Sequence, residues 1–215
     1  MPREGIFTRL VRGRGILCRT MGKNVLILQG HPDAHAGHLG SALDAAYAEG
    51  AAASGHSVKR IAVAECEFDL VRSANEWMNG TPTLSIVEAQ QAIEWADHLV
   101  VFYPLWLGDV PALLKAFLEQ VARPGFAFSI AKKGGIGKPR LRGKSARIVV
   151  TMGMPAFVYK WYFGAHSLRS LERNVLKFVG IAPVRSAIFG SVEAAGDRKR
   201  RRWLKEMRRL GERAA

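Results

Sequence analysis

Cysteine is nearly missing from this chain: Cys18 and Cys66 are the only two among 215 residues. Two distant thiols with no Cys-x-x-Cys pair make neither a disulfide framework nor a thiolate metal shell, and they suit a reducing cytoplasm. Long apolar runs are also absent. Nothing approaches the roughly 20 residues that cross a bilayer, so stable membrane insertion is not expected, and GILC (15–18) is too short for a signal-peptide core. The chain carries no Walker A sequence and no GxGxxG, which removes the P-loop nucleotide site and the dinucleotide fingerprint.

Acidic residues are scarce, 18 against 32 Lys and Arg, for a net charge of +14. That value suggests nucleic acid until it is located. Residues 1–20 carry +4 and residues 196–215 carry +6, leaving +4 for the long middle of the chain. The basicity belongs to the ends rather than to a folded nucleic-acid face, so no nucleic-acid partner is expected.

What remains is one domain's worth of sequence, 48% hydrophobic, with residues 1–21 read as a flexible N-terminal extension and 22–215 as the domain. Five short apolar runs, at 24–30, 58–65, 97–104, 145–153 and 184–192, alternate with helical patterns at 37–54, 86–96, 109–122 and 166–179 and a terminal helix. Such alternation predicts an α/β fold, a five-stranded parallel sheet doubly wound with helices on both faces. The helix at 109–122 has its apolar stripe at Val110, Leu113, Leu114, Phe117, Leu118 and Val121, with Asp109 as its expected cap and Lys115–Glu119 as a solvent pair. Residues 75–82 and 123–145 read as irregular, the latter long enough for a lid or site wall. The last helix should pack Trp203, Leu204, Met207 and Leu210 and leave a solvated basic face, through which peripheral association with a membrane is possible.

In such a sheet, ligands bind beyond the carboxyl ends of the strands. Three loops there are unusual. The first, LILQGHPDAHAGHLGSAL (26–43), places His31, His35 and His38 at helix-like spacing, which resembles a transition-metal cluster. Pro32 and the preceding strand break that helix, and no cysteine or carboxylate cluster completes a shell, so no metal is expected. The loop instead leads to a helix N-terminus suited to an anion, with Gly37 and Gly40 permitting close approach. The second loop, YPLWLGDVP (103–111), is aromatic and apolar where a solvent loop would be polar. The third, TMGMPAFVYKWYFGAH (151–166), follows a glycine turn with Tyr159, Trp161, Tyr162 and His166. Trp161 to Phe163 are expected to pack in the core or against a second subunit. The three together suit a flat, partly apolar ligand with a phosphate tail.

In order and spacing these loops resemble the flavodoxin-like NAD(P)H:quinone oxidoreductase family, which includes mammalian quinone reductase and the bacterial potassium-efflux ancillary reductases. The matching elements are His31-Pro32, PLWLGDVPALLK (104–115), GFAF (125–128) and the turn Thr151-x-Gly153 with Tyr159 and His166 downstream. The resemblance implies a flavodoxin-like fold and ping-pong hydride transfer from NADH or NADPH, through FMN or FAD, to a quinone-like acceptor. It also implies site residues. His31, Gly37 and His38 would hold the flavin phosphate, while Pro104, Leu105, Trp106 and Leu107 would lie along the ring. Thr151, Met152 and Gly153 would meet its pyrimidine edge, and Tyr159 and His166 would stabilise charge as the catalytic pair. Phe126 and Phe128 would line the acceptor pocket from the partner subunit of a homodimer. The same resemblance admits a flavin-binding regulatory subunit of a membrane transporter. A one-electron flavodoxin carrier fits less well, because the core lacks an acidic docking surface.

Overall fold

The computed structural model describes residues 22–35, 37–129 and 137–214. Five strands, β1 (Asn24–Gln29), β2 (Ser57–Ala62), β3 (His98–Pro104), β4 (Ser145–Met152) and β5 (Val184–Gly190), form one sheet in the order β2-β1-β3-β4-β5. All neighbours are parallel, with Ile27 opposite Arg60 on one side and Val100 on the other. The predicted architecture is therefore present. The proposed extension, residues 1–21, and residues 130–136 of the long loop lie outside the described residues.

The continuous apolar runs are explained by burial on both faces. Val25 and Ile27 of β1, with Val100 and Phe102 of β3, point to α1 (Leu39–Ala53) and the last helix, α7 (Asp197–Arg213). Leu26 and Leu28, with Leu99, Val101 and Tyr103, point the other way. There they meet α3 (Leu84–Trp95), α4 (Ala112–Val121) and α6 (His166–Ser170), which continues as a π-helical stretch over Leu171–Leu176. In α7, Trp203 and Met207 are buried and Leu204 and Leu210 pack at the margin, as their spacing predicts. Gly50 of α1 and Gly211 of α7 let the two backbones touch. A Cβ on Gly50 would lie 2.1 Å from the Arg208 carbonyl oxygen, and one on Gly211 would lie 2.1 Å from that of Tyr47.

Three local readings are corrected. Residues 75–82 are not wholly irregular: α2 (Ala74–Asn79) forms because the Ser73 hydroxyl accepts the Glu76 N–H at 3.1 Å while the Glu76 carboxylate accepts that of Arg72 at 2.9 Å. Asp109 does not cap α4, whose cap position is Pro111; it closes a turn with Trp106 and accepts the Val110 N–H. The third loop is not wholly irregular: it contains a short helix, α5 (Ala156–Trp161), and Trp161 and Tyr162 at its end are exposed, so they lie outside this chain's own core.

At the amino edge of the sheet His98 is fully buried, with Nδ1 2.8 Å from the Ser145 hydroxyl. Burial, reinforced by the positive charges of Lys23, Arg147 and Arg185, pushes its pKa down to about 3. The unfolded chain takes up this proton near pH 6.5 and the folded chain does not. Stability is therefore complete above pH 6.5 and falls by about 1.4 kcal/mol per pH unit below it, until the folded group titrates. Urea unfolding at pH 7 and pH 4.5 is expected to show a smaller acid loss in His98→Gln than in the native chain. Equal losses would remove His98 from the acid response.

Candidate functional site

The chain leaves β1 on one side of the sheet and returns to β3 on the other, so the carboxyl ends of these strands flank the switch point. β1 is followed by Gly30, whose N–H donates to the Phe102 carbonyl at 2.7 Å. A Cβ there would lie 2.9 Å from the Phe102 carbonyl oxygen, a backbone atom, and 2.6 Å from the end of the Leu114 side chain, so glycine suits this crossing.

The turn that follows is built around Asp33. Its Oδ1 accepts the His35 N–H at 2.9 Å, an Asx-type turn, and lies 2.6 Å from His35 Nδ1. Oδ2 lies 3.1 Å from His38 Nε2. The His35 backbone and ring hydrogen bonds hold the Asp33 carboxyl far below the usual carboxylate range. The Asp33 N–H in turn donates to His31 Nδ1 at 3.0 Å. Burial and the neighbouring His38 lower the pKa of His31. A neutral ring that accepts at Nδ1 carries its proton on Nε2, so His31 is a donor rather than a cation.

A broken helix does not require His31 and His38 to share a face, yet the turn brings them face to face. Their rings stack at 3.8 Å between centroids, and Trp106 meets His31 edge-on at 5.7 Å. His38 occupies the cap position of α1 with no side-chain cap hydrogen bond. The Ser41 and Ala42 N–H groups return to the His38 carbonyl, which leaves the first N–H groups of a 15-residue helix without an intrahelical acceptor, next to Gly37 in the chain. Nothing lies within 4 Å of where a Cβ on Gly37 would sit.

Beneath this turn runs a polar chain that sequence reading missed. Gln29 Oε1 accepts the His31 N–H at 3.3 Å, while its Nε2 donates to Asp44 at 3.3 Å. Asp44 is buried in α1 and pairs with Arg60 of β2 at 2.7 Å. Burial raises the Asp44 pKa, and the Arg60 guanidinium opposes that shift. The available signal was a carboxylate three residues from Tyr47 on the buried stripe of a helix.

The second loop forms an apolar ledge. Pro104 and Leu105 are half-buried, Trp106 is half exposed, and Leu107, at φ 47°, is fully exposed. Beside it, the Thr151 carbonyl accepts the Leu105 N–H at 2.8 Å and the Met152 carbonyl that of Val192 at 3.2 Å. Gly153 then stands exposed past the strand end, close to the Glu193 carboxylate. His31, Gly37, His38, residues 104–107 and residues 151–153 thus all fall at the carboxyl edge of the sheet.

The expected catalytic pair and the two phenylalanines expected from a partner subunit are placed as follows. Tyr159 is 1% exposed and turned inward; its hydroxyl lies 2.7 Å from that of Ser167 and accepts the Leu168 N–H at 3.1 Å. His166 is exposed at the head of α6. The phenol and imidazole are therefore not a facing pair: the backbone between them reverses at Gly164 and Ala165, both at positive φ. Phe128 does not join the ledge. It packs with Phe178, at 5.3 Å, and Trp77, at 5.9 Å, in a hollow of about 460 Å³ that Leu118 and Val175 complete, with Phe126 half-buried nearby.

A family model described as a flavodoxin-like fold matches residues 23–212. The chain belongs to the flavodoxin-like family. Over 141 residues this flavodoxin-like chain is 28% identical to an uncharacterized NAD(P)H oxidoreductase of Haemophilus influenzae, a match covering 64% of this chain and 69% of that protein. It is 36% identical over 101 residues to FMN-dependent NADH:quinone oxidoreductase 1 of Hahella chejuensis, covering 46% of this chain and 45% of that one. The chain thus spans less than half the length of the second relative. Among solved structures, the NAD(P)H:quinone oxidoreductase of Methanothermobacter marburgensis aligns with a TM-score of 0.74 at 25% identity, covering 89% and 96% of the two chains.

Proposed function

We propose that this protein is a flavin-dependent NAD(P)H oxidoreductase that carries FMN and reduces a quinone or similar electrophile in the cytoplasm. One observation carries the reading. An uncapped helix N-terminus with an imidazole donor adjoins an exposed apolar ledge at the switch point, which suits a phosphate joined to a flat ring. The donor set fits that group, because backbone N–H groups and a neutral imidazole donate to an anion, while the Asp33 carboxylate in the same turn is engaged by His35 and His38. The name of the Hahella relative supports FMN.

When bound, a flavin supplies two-electron chemistry, accepting hydride from NADH or NADPH and delivering it to the acceptor in a second half-reaction. The chain's own work is positioning. His31, Gly37 and His38 hold the phosphate, with Asp33 and Gln29 fixing the turn that aims them. Pro104, Leu105, Trp106 and Leu107 support the ring, and Thr151, Met152 and Gly153 meet its polar edge through the backbone. His166 offers an exposed imidazole for proton exchange at the rim. Phe126 and Phe128 are assigned to the acceptor pocket of a second copy, in a homodimer whose contact runs across the Trp77–Phe128–Phe178 hollow.

The purified protein is expected to be yellow, to release FMN on heating, and to oxidise NAD(P)H with menadione. A colourless protein that takes up no flavin would sink the proposal. Tyr159→Phe tests the catalytic pair. Losing the hydroxyl leaves the buried Leu168 N–H without its acceptor, and the unfolding free energy from a urea melt should fall by about 1–2 kcal/mol. Turnover at saturating flavin should stay within severalfold of native. A drop of roughly 100-fold or more, the scale of general acid–base catalysis, would return the phenol to the reaction.

A further inference from the structure

We propose that the edge formed by α5 and the first turns of α7 docks this protein on an anionic lipid surface. Phe157, Trp161 and Tyr162 are 66%, 86% and 82% exposed, and Lys160 stands exposed among them. Exposed aromatics gathered on six consecutive residues are unusual for a surface that meets only water. Arg198, Arg201, Arg202 and Lys205 project from α7, opposite the stripe of Trp203 and Met207 that packs on the sheet.

The two elements share one edge. The Ser191 N–H donates to the Met154 carbonyl at 2.9 Å, and a Cβ on Gly190 would lie 2.3 Å from the Ala156 nitrogen. Lys199 of α7 reaches the Gly190 carbonyl at 3.5 Å. The carboxyl end of β5 therefore lies between the start of α5 and the first turn of α7.

Charge selects the occupant. Residues 196–215 carry a net +6, so a second copy would bring like charges together on this face. Nucleic-acid surfaces of comparable charge stack bases on aromatics set within the basic track. Here the aromatic residues occupy one helix and the arginines the next, an apolar wedge beside a cationic rim. Trp and Tyr settle at the headgroup boundary, and each basic residue near an anionic leaflet strengthens binding about fivefold. Both helices begin at the sheet edge that holds the Trp106–Leu107 ledge, so docking would bring the ledge close to acceptors dissolved in the lipid. That last step rests on the reductase reading; the docking itself does not.

The test is cosedimentation of the full chain with phosphatidylcholine vesicles, with or without phosphatidylglycerol, in the absence of NAD(P)H. Binding should require phosphatidylglycerol, weaken in high salt, and fall roughly 100-fold in the triple variant Arg198→Glu, Arg202→Glu, Lys205→Glu. Trp161→Ser with Tyr162→Ser should also weaken it, while Arg198→Lys with Arg202→Lys should retain it. Unchanged circular dichroism melts establish that the variants fold. Equal binding to neutral vesicles, binding to a single-stranded RNA oligonucleotide but not to vesicles, or loss of a homodimer in Trp161→Ser would each overturn the proposal. Menadione reduction in solution, measured on the same samples, should be unchanged in the charge variants and reports separately on the reductase reading.

Discussion

Gly211→Val is expected to cost the protein about 3 kcal/mol or more, a large share of the 5–15 kcal/mol that holds a domain folded. In an isolated helix the exchange of glycine for a larger residue gains stability, alanine by about 1 kcal/mol. The sign reverses here because a Cβ on Gly211 would lie 2.1 Å from the Tyr47 carbonyl and 3.0 Å from the Ala51 nitrogen, both backbone atoms within α1. Backbone cannot rotate aside as a side chain does. α7 would have to lift, drawing Trp203 from its 5.3 Å contact with Phe189 and opening the cluster around Val25, Ile27 and Phe102. Gly211→Ala should already destabilise, and Gly50→Ala should do the same through Arg208. Gly40→Ala is the control. It lies in the same α1 with only Gln29 Oε1 as near as 4.0 Å, and it should stabilise. Urea denaturation of the four variants checks the pattern; a gain for Gly211→Ala would mean that the helices do not meet there.

The glycines also mark the division between what the sequence displays and what only the fold reveals. The strands were legible because β1, β3 and β4 are buried on both faces, which writes a continuous apolar run into each. The edge strands β2 and β5 are half exposed, and β2 was correspondingly read three residues too long, through a turn of 3-10 helix at Val63–Glu65. The location of the candidate site was legible for a topological reason, since strand order and loop chemistry together select the carboxyl edge. Its internal geometry was not. Stacking of His31 on His38 depends on an Asx turn at Asp33, a local bond that no periodicity reports. The inward turn of Tyr159 depends on Ser167, eight residues away and buried with it. A short polar residue gives no sign of such a role until the backbone has reversed.

Gly40→Glu should separate folding from flavin binding, and it has the largest functional effect expected of any single change. Gly40 is in the first turn of α1, where its Cβ position is open and the backbone needs no positive φ. A carboxylate there meets the positive end of the helix dipole, worth about 0.3–1 kcal/mol, and replacing glycine adds to the gain. The apoprotein should therefore melt at a higher temperature than native. The same carboxylate occupies the place proposed for the FMN phosphate. Two like charges about 4 Å apart at a protein surface repel by about 4 kcal/mol, so FMN affinity should fall at least 100-fold. Titration of the apoprotein, followed by quenching of FMN fluorescence, measures the loss. Riboflavin lacks the phosphate and supplies the control: its weaker binding along the Trp106–Leu107 ledge should barely change. If FMN and riboflavin lose affinity equally, the substitution has damaged the ledge rather than the anion site. If FMN binds Gly40→Glu as it binds the native chain, the phosphate does not sit at the head of α1.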